Sequence, residues 1–371
     1  MLVRLDGLTA ARAKLAGEAA LRSEVQAAEA MSWKHRADWS SGFLLAGSEA
    51  ALSRMALELV RAGHAEIASP IQKLLAAAKR PSPSCRLMGI LNVTPDSFSD
   101  GGRYADPGAA VARGLEMVSQ GAAIVDVGGE STRPGAHPVE EAEEIRRTLP
   151  VVERLRAELP SAVEISIDTM KAGVARAAAG AGATILNDVS GLSADPGMRA
   201  VAAAAGARVV ISHMRGTPAT MQRKPAYAHV VLEVIAELSE LVEAAREEGV
   251  LAERIILDPG FGFGKLPAHN AALLRHLASF VSLGYPVLAG LSRKSFLGAL
   301  AGPRDEGPAS PGRADVTLAA ETLAAASGAA LLRTHDPGRA AHAVRLAAVV
   351  TSTQEDPRDD SVDHRTDAQP V

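Results

Sequence analysis

The sequence predicts an α/β fold, a (β/α)8 TIM barrel preceded by a small N-terminal α/β extension. Two observations carry this. From residue 86 to residue 350, short apolar runs alternate with longer amphipathic stretches, and the pair repeats eight times. A barrel of this kind occupies about 250 residues. The composition also fits: 47% of residues are hydrophobic but only 3% aromatic, so Ala, Val, Leu and Ile must fill the core. Parallel strands buried on both faces favour those branched aliphatics. A doubly wound open sheet shows the same alternation. Eight regular units, and no Gly-x-Gly-x-x-Gly turn after the first strand of the series, weigh against it.

In chain order, residues 1–80 form the small extension. Residues 8–22 are Ala/Leu-rich with Thr9 placed as an N-cap, 42–47 read as a short buried strand, 49–62 as a helix capped by Ser48 and stopped by Gly63, and 70–78 as a third helix. Trp33 and His35 have no partner cluster and read as a packed Trp and a surface His. Residues 81–85 have the Pro/Ser composition of a linker. The barrel then spans 86–350. Its strands are the apolar runs 87–91, 124–127, 164–167, 184–186, 208–211, 254–257, 286–288 and 330–332. Helical periodicity fills 107–120, 140–158, 171–179, 197–204, 229–248, 270–281, 315–326 and 338–349. Residues 351–371 are acidic and are expected to be disordered.

Composition excludes several classes of partner. A net charge of −4 gives no footprint for nucleic acid. The single cysteine, Cys85, allows no internal disulfide and no Cys-rich zinc site, which fits a reducing cytosol. No apolar run reaches the ~18 residues of a membrane span, and the N-terminus has no signal-peptide core. A cytoplasmic protein without a membrane partner is expected. No Ser-His-Asp or Cys-His nucleophile set and no His/Cys zinc cluster stands out.

The polar residues fall in a pattern. Asn92, Asp126, Asp168, Asn187, His213, Asp258, Ser292 and Arg333 each stand at or just after the C-terminal end of a different predicted strand. In this barrel those ends converge on the face that carries the active site. One polar strand end is readily a helix cap, but eight in register are not. Ser292, Arg293, Lys294, Arg333 and His335 lie at the seventh and eighth strands, where such barrels often bind phosphate, and a guanidinium fork and an ammonium suit a diphosphate. Asn92 offers a neutral carbonyl oxygen suited to Mg2+, which keeps most of its water and prefers phosphate oxygens. Asp168, Asn187 and Asp258 are short donors and acceptors deep at strand ends; spacing alone assigns them to a polar heterocycle or a sugar. His213 reads as a hydrogen-bonding group in the pocket floor. Gly260-Phe-Gly-Phe-Gly-Lys265 looks like a phosphate cradle but lacks the Walker pattern and the helix opening. Its glycines are expected to let backbone approach a flat ligand, with Phe263 and Lys265 walling the pocket. Loop one (92–104) and loop two (128–138) are long and Gly/Pro-rich, as mobile site loops are.

The segment Met88-Gly-Ile-Leu-Asn-Val-Thr-Pro-Asp-Ser-Phe-Ser-Asp-Gly-Gly102 resembles the signature of the dihydropteroate synthases, a branch of the pterin-binding barrel family. Asp126-Val-Gly-Gly-Glu-Ser-Thr-Arg-Pro-Gly135, Ile167-Asp-Thr169, Asn187-Asp188, Leu257-Asp-Pro-Gly-Phe-Gly-Phe-Gly-Lys265, Ser292-Arg-Lys-Ser295 and Arg333-Thr-His335 follow in the same order. The resemblance implies condensation of 6-hydroxymethyl-7,8-dihydropterin diphosphate with 4-aminobenzoate. It places Asp168, Asn187 and Asp258 in the pterin pocket, with Asp126, Phe263, Lys265 and Thr334 among the substrate contacts. Asn92, with Mg2+, and Lys294, Arg333 and His335 would carry catalysis on the diphosphate. The loops, with Thr132 and Arg133, would close over it, and Phe98 and Pro134 would lie near the arylamine ring. If diphosphate orders these loops, 4-aminobenzoate and sulfonamides that mimic it should bind tightly only when diphosphate is present. A homodimer is expected from the family alone. Thr334 departs from the family pattern, where Val usually stands between the Arg and the His. A pterin-dependent methyltransferase of the same barrel family would keep the pterin acceptors and lack the diphosphate set. A non-catalytic pterin-binding paralogue, with residues 1–80 as its interaction module, is the other alternative.

Overall fold

A computed structural model describes residues 2–8, 26–30, 41–46, 49–78, 85–94, 106–131, 138–223, 225–301 and 311–352, with scattered positions between 12 and 20. The expectations for the linker, for most of both long loops and for the acidic tail fall outside the described residues.

The N-terminal extension has its own sheet. Strands β1 (Leu2–Leu8), β2 (Gln26–Ala30) and β3 (Ser41–Ala46) pair antiparallel in the order β1-β3-β2. Only β3 is legible in the sequence. Leu8 ends a strand instead of starting a helix, because β1 lays Leu2 opposite Ala46 and Leu5 opposite Phe43, with a bulge before Leu8. The β2 run Gln-Ala-Ala-Glu-Ala has weak strand propensity and takes its form from pairing with β3. The helices Glu49–Arg61 and Ala65–Ala78 are joined at Gly63, whose φ of +83° suits glycine. The second begins before Pro70, not at it. One interior proline removes a single hydrogen bond, and burial of Ile67 and Ile71 on either side of it outweighs that loss. Leu52, Met55, Leu59, Ile67 and Ile71 form a core cluster separate from that of the barrel.

Eight parallel strands follow: β4 (Arg86–Asn92), β5 (Ile124–Gly128), β6 (Glu164–Asp168), β7 (Ile185–Asp188), β8 (Arg208–Ser212), β9 (Ile255–Asp258), β10 (Leu288–Ala289) and β11 (Leu331–Thr334). Their order is β10-β11-β4-β5-β6-β7-β8-β9, and a parallel bridge from Leu257 to Val287 joins β9 to the residue before β10, which brings the ring round. The (β/α)8 expectation is borne out. Period two along each strand divides its side chains between two cores. Met88, Ile124, Ile185, Val210, Ile256, Leu288 and Leu331 fill the barrel interior. Their neighbours, such as Leu87, Val125, Val209, Ile255 and Leu332, face the helices. Cutting one of these side chains back to Ala should cost about 2–5 kcal/mol.

The helices that cover the strands are Pro107–Ser119, Glu141–Glu158, Ala172–Gly180, Met198–Ala205, Val230–Glu247, Pro267–Arg275 with Leu277–Val281, Pro311–Ala326 and Pro337–Thr351. Two of them open on Asp-Pro. Asp106 accepts from the N–H groups of Gly108 and Ala109, and Asp336 from that of Arg339, while proline supplies the first helical φ. The helix at Pro311 starts earlier than its periodicity suggests, because Pro-Gly reads as a turn when it is in fact a first helical turn. A short helix, Ser295–Ala301, follows β10 and is too brief to show a period.

The inside of the barrel is charged at both ends. At the N-terminal end, Glu164 of β6 lies between Arg86 of β4 at 2.7 Å and Arg208 of β8 at 2.6 Å. The other end carries the candidate site. Among the described residues, no helix is long and apolar enough to cross a membrane.

Candidate active site at the C-terminal rim

Each site residue is placed by strand period. On β5, β7 and β11, the residue two positions after an interior apolar side chain again points inward: Asp126 after Ile124, Asn187 after Ile185, Arg333 after Leu331. These alternate strands bring the three together. The Arg333 Nε donates to Asp126 Oδ2 at 2.6 Å, and the Asn187 amide donates to the same oxygen at 3.1 Å. From β6, Asp168 Oδ2 accepts from an Arg333 Nη at 2.5 Å. One guanidinium thus joins two carboxylates across the barrel mouth.

Charge counting explains the electrostatics. When all three groups are ionised, two anions share one cation in a buried place. Burial raises the pKa of Asp168, and Asp126 adds to the rise, against the pull of Arg333. Burial opposes the charge on Arg333, but Asp126 and Asp168 hold its pKa above the ordinary value. Only half of each carboxylate is used. Asp126 Oδ1, Asp168 Oδ1 and the Ser166 hydroxyl, all buried, have no hydrogen bond among the described residues. Two inward acceptors without donors and one inward hydroxyl are what a heterocycle edge rich in N–H groups would fill.

Asp258 ends β9 on the same rim. Its Oδ1 accepts the Gly260 N–H at 2.8 Å and its Oδ2 the Ser212 hydroxyl at 3.2 Å. Burial raises its pKa, and the Gly260 N–H, Lys294 and Lys265 oppose that rise. The capping role and the site role coexist, because an ionised carboxylate has lone pairs to spare.

After β10 the turn Ser292–Lys294 does something that periodicity does not reveal. Arg293 has φ +58°, a left-handed conformation that costs a non-glycine residue about 1–2 kcal/mol. The reversal leaves Arg293 exposed. Ser292 is buried and meets the Nδ1 of His335 at 3.0 Å. The Lys294 ammonium lies over the Phe263 ring, 3.9 Å from its centroid. Burial lowers the Lys294 pKa to about 8; Asp258 and Asp168 oppose that fall and Arg333 adds to it. Of the phosphate-end group, Ser292 and His335 meet each other, Lys294 lies close enough to feel the charge of Arg333, and Arg333 itself is bonded to the two carboxylates. Arg293 does not join the group.

Two expectations need correction. Thr334 follows inward-facing Arg333, so its side chain turns to the helix layer. Its hydroxyl meets Glu321 of the helix Pro311–Ala326 and the Asp336 N–H, so the hydroxyl faces the helix layer and not the barrel mouth. Lys265 does not wall the pocket with a free ammonium. It is 3% exposed, and its Nζ lies 2.9 Å from His213 Nδ1, 2.9 Å from the Gly260 carbonyl, 3.0 Å from the Phe263 carbonyl and 3.2 Å from the His213 carbonyl. The glycine loop is a cage of carbonyls around its own lysine, not a cradle for phosphate. Phe263 itself lies with Val189 and Met221 in a small apolar cluster beside Met170 and Met214.

Asn92 ends β4, and its side chain has no hydrogen bond to another described residue. Among the described residues, no group of three His, Cys, Asp or Glu could hold a metal. One open amide oxygen fits an ion whose other ligands are water and substrate phosphate. Phe98, Thr132, Arg133 and Pro134 lie outside the described residues. Sequence reasoning missed Ser166, Ser212 and Glu237. The serines stand two positions before Asp168 and one before His213, and strand period alone would have turned both inward. Glu237 lies on the helix Val230–Glu247, and no spacing ties it to His213.

A family model described as a pterin-binding enzyme matches residues 88–335. The dihydropteroate synthase of Synechocystis sp. is 45% identical over 261 residues, which are 70% of this chain and 88% of that protein. A solved structure of Xanthomonas albilineans dihydropteroate synthase with 4-aminobenzoic acid is 46% identical, covers 73% of this chain and 94% of that one, and superposes with a TM-score of 0.67. The Xanthomonas albilineans enzyme in complex with 7,8-dihydropteroate is 44% identical with a TM-score of 0.64, covering 73% and 95% of the two chains.

Proposed function

Because the chain belongs to the pterin-binding enzyme family, we infer that it is a transferase of the dihydropteroate synthase type. It condenses 6-hydroxymethyl-7,8-dihydropterin diphosphate with 4-aminobenzoate to give 7,8-dihydropteroate and diphosphate. The observation that carries this is the joined rim, where Arg333 links Asp126 and Asp168 beside Asn187 and Asp258 while the phosphate-end cations stand next to it.

The chemistry divides along the rim. The open oxygens of Asp126 and Asp168, with Asn187 and Asp258, take the N–H-rich edge of the pterin. Ser292, Lys294, Arg333 and His335 face the diphosphate. The bond between the pterin methylene carbon and the diphosphate oxygen breaks, and its electron pair leaves with the oxygen. The arylamine nitrogen forms the new bond to that carbon and releases one proton to diphosphate or solvent. Cationic and N–H donors stabilise the departing charge, the largest single lever for such a step. Held between two carboxylates, Arg333 is already oriented when substrate arrives. Mg2+, held by the Asn92 oxygen and substrate phosphate oxygens, would neutralise leaving-group charge when bound. Thr132 and Arg133 would complete the phosphate end, with Phe98 and Pro134 near the amine. A homodimer in the cytoplasm is the state we assign to it.

The test is turnover with both substrates, following dihydropteroate and diphosphate together. One product per diphosphate, with none when either substrate is omitted, is expected. Methyl transfer from a methylated folate to a corrinoid, or pterin binding with no condensation, would overturn the reading.

A further inference from the structure

Behind the rim lies a chain of hydrogen-bonded charges that the reaction above does not use. Glu237, on the helix Val230–Glu247, accepts from Arg215 at 3.0 Å and meets the Nε2 of His213 at 2.9 Å. The other ring nitrogen of His213 faces Lys265 at 2.9 Å. His213 is 1% exposed and Lys265 3%, so their contact with each other lies in the interior. A carboxylate on Nε2 fixes the proton there and leaves Nδ1 bare, as an acceptor for the ammonium. The Lys265 ammonium has three protons and four acceptors within 3.2 Å, one of them this nitrogen.

The loop that Lys265 closes is built around that ammonium. Gly260 and Gly264 have φ of +70° and +60°. A Cβ on Gly260 would lie 1.9 Å from the His213 carbonyl oxygen, and one on Gly264 2.8 Å from that of Arg215. The loop therefore packs backbone to backbone on the segment that carries His213. Further bonds hold its outside: the Gly262 N–H to Asn270 at 2.7 Å, and the Tyr227 hydroxyl to the Gly264 carbonyl at 3.0 Å. What the loop presents to the site is Phe263, the ring beneath Lys294.

We propose that Glu237, His213 and Lys265 form a positioning relay that holds the loop Gly260–Lys265, and with it Phe263 and Lys294, as one wall of the pterin pocket. The proposal rests on the functional reading above. None of the three has to touch substrate. Burial lowers the His213 pKa to about 4, against the Glu237 hydrogen bond. Burial works against charge on Glu237, yet hydrogen bonds from His213 and Arg215 hold its pKa at about 2. Both agree with a neutral imidazole carrying a fixed proton.

Asparagine and glutamine separate the two ring nitrogens. In His213→Asn a carbonyl oxygen stands near the former Nδ1 and keeps an acceptor for Lys265. In His213→Gln an amide stands near the former Nε2, keeps the Glu237 partner and removes the ring-nitrogen acceptor, so that Lys265 must place its third proton on the most distant of its three carbonyls, that of His213 at 3.2 Å. With both variants in the full chain, KM for the dihydropterin diphosphate should be about ten-fold higher in His213→Gln than in His213→Asn, with kcat differing less than three-fold between them. Equal KM values, or a higher KM in the Asn variant, would overturn the relay. The 15N histidine spectrum of the wild-type chain is independent of turnover. It should show His213 protonated at Nε2 and bare at Nδ1, and a protonated Nδ1 overturns the relay even if the enzyme is active. A wild-type chain that does not condense the substrates would sink the functional reading instead, while the spectrum still decides the relay.

Discussion

The two ends of one barrel hold the same kind of object, a charge triad across three strands, and build it in opposite ways. At the N-terminal end one carboxylate sits between two arginines, and both oxygens of Glu164 are taken, at 2.7 and 2.6 Å. At the C-terminal end one arginine sits between two carboxylates, and an oxygen of each is left open. The first triad is partly exposed and complete, so it contributes only what surface ion pairs contribute. The second is buried and unfinished. Unfinished hydrogen bonding in a buried place is costly to a fold, and a ligand that completes it recovers that cost on binding. The contrast separates a group whose acceptors are all taken from a group that keeps acceptors for a ligand.

The strongest way to break the comparison is to remove the cation of the open triad. Arg333→Ala leaves Asp168 without its guanidinium donor and Asp126 with the Asn187 amide but no cation. Loss of one member of a buried pair costs about 3–5 kcal/mol, so urea unfolding should show a drop of that size and condensation should fall below detection. Near-wild-type stability and turnover would mean that the two carboxylates do not depend on Arg333.

A buried carboxylate behind the rim gives the next effect, in its pH dependence. Burial raises the pKa of Glu321 from 4.5 to about 7, against the hydrogen bond of Thr334. A carboxyl whose folded value is raised binds its proton more tightly in the folded chain. Its contribution is therefore full below pH 4.5 and is lost as pH rises through about 7. At about 1.4 kcal/mol per pKa unit, the loss by pH 8.5 is about 3 kcal/mol. Glu321→Gln should flatten that slope in unfolding measured at pH 5 and pH 8.5. An identical slope in variant and wild type would mean that Glu321 is not the titrating group.

Asp258 sharpens the comparison on the open side. Asp258→Asn replaces an acceptor with an amide that presents N–H to N–H, which costs about 1–3 kcal/mol. Calorimetry with a pterin monophosphate should show weaker binding by that amount, and unchanged affinity would place the pterin edge elsewhere. The closed triad should respond least. Glu164→Gln is expected to lower stability by about 1 kcal/mol or less and to leave turnover within two-fold. A large loss of turnover would show that the two ends are coupled.

How much of this was legible in the sequence follows from the period of each element. The apolar runs put Asp126, Asn187 and Arg333 at strand ends, and parallel topology brings those ends together, so the rim is legible in the sequence. Strand period, applied to Arg333, should have turned Thr334 away. The true nature of Gly260–Lys265 was not legible, because the sign of a glycine φ, and hence the direction of the next carbonyl, is set by what the loop packs on. Here that is the His213 backbone, 47 residues away from Gly260 in the chain. Strand β2 was missed because its pairing, not its composition, makes it a strand.

If the open oxygens of the C-terminal triad read the pterin, pterin binding must depend on them. Titration of a pterin monophosphate into Asp168→Asn, beside wild type and Glu164→Gln, tests it most directly. Asparagine keeps the size of Asp168 and can turn its oxygen to Arg333 or to the open side, but not to both. Binding at least ten-fold weaker than wild type in Asp168→Asn, with Glu164→Gln binding like wild type, is the predicted result. Equal affinity in all three proteins would contradict the account.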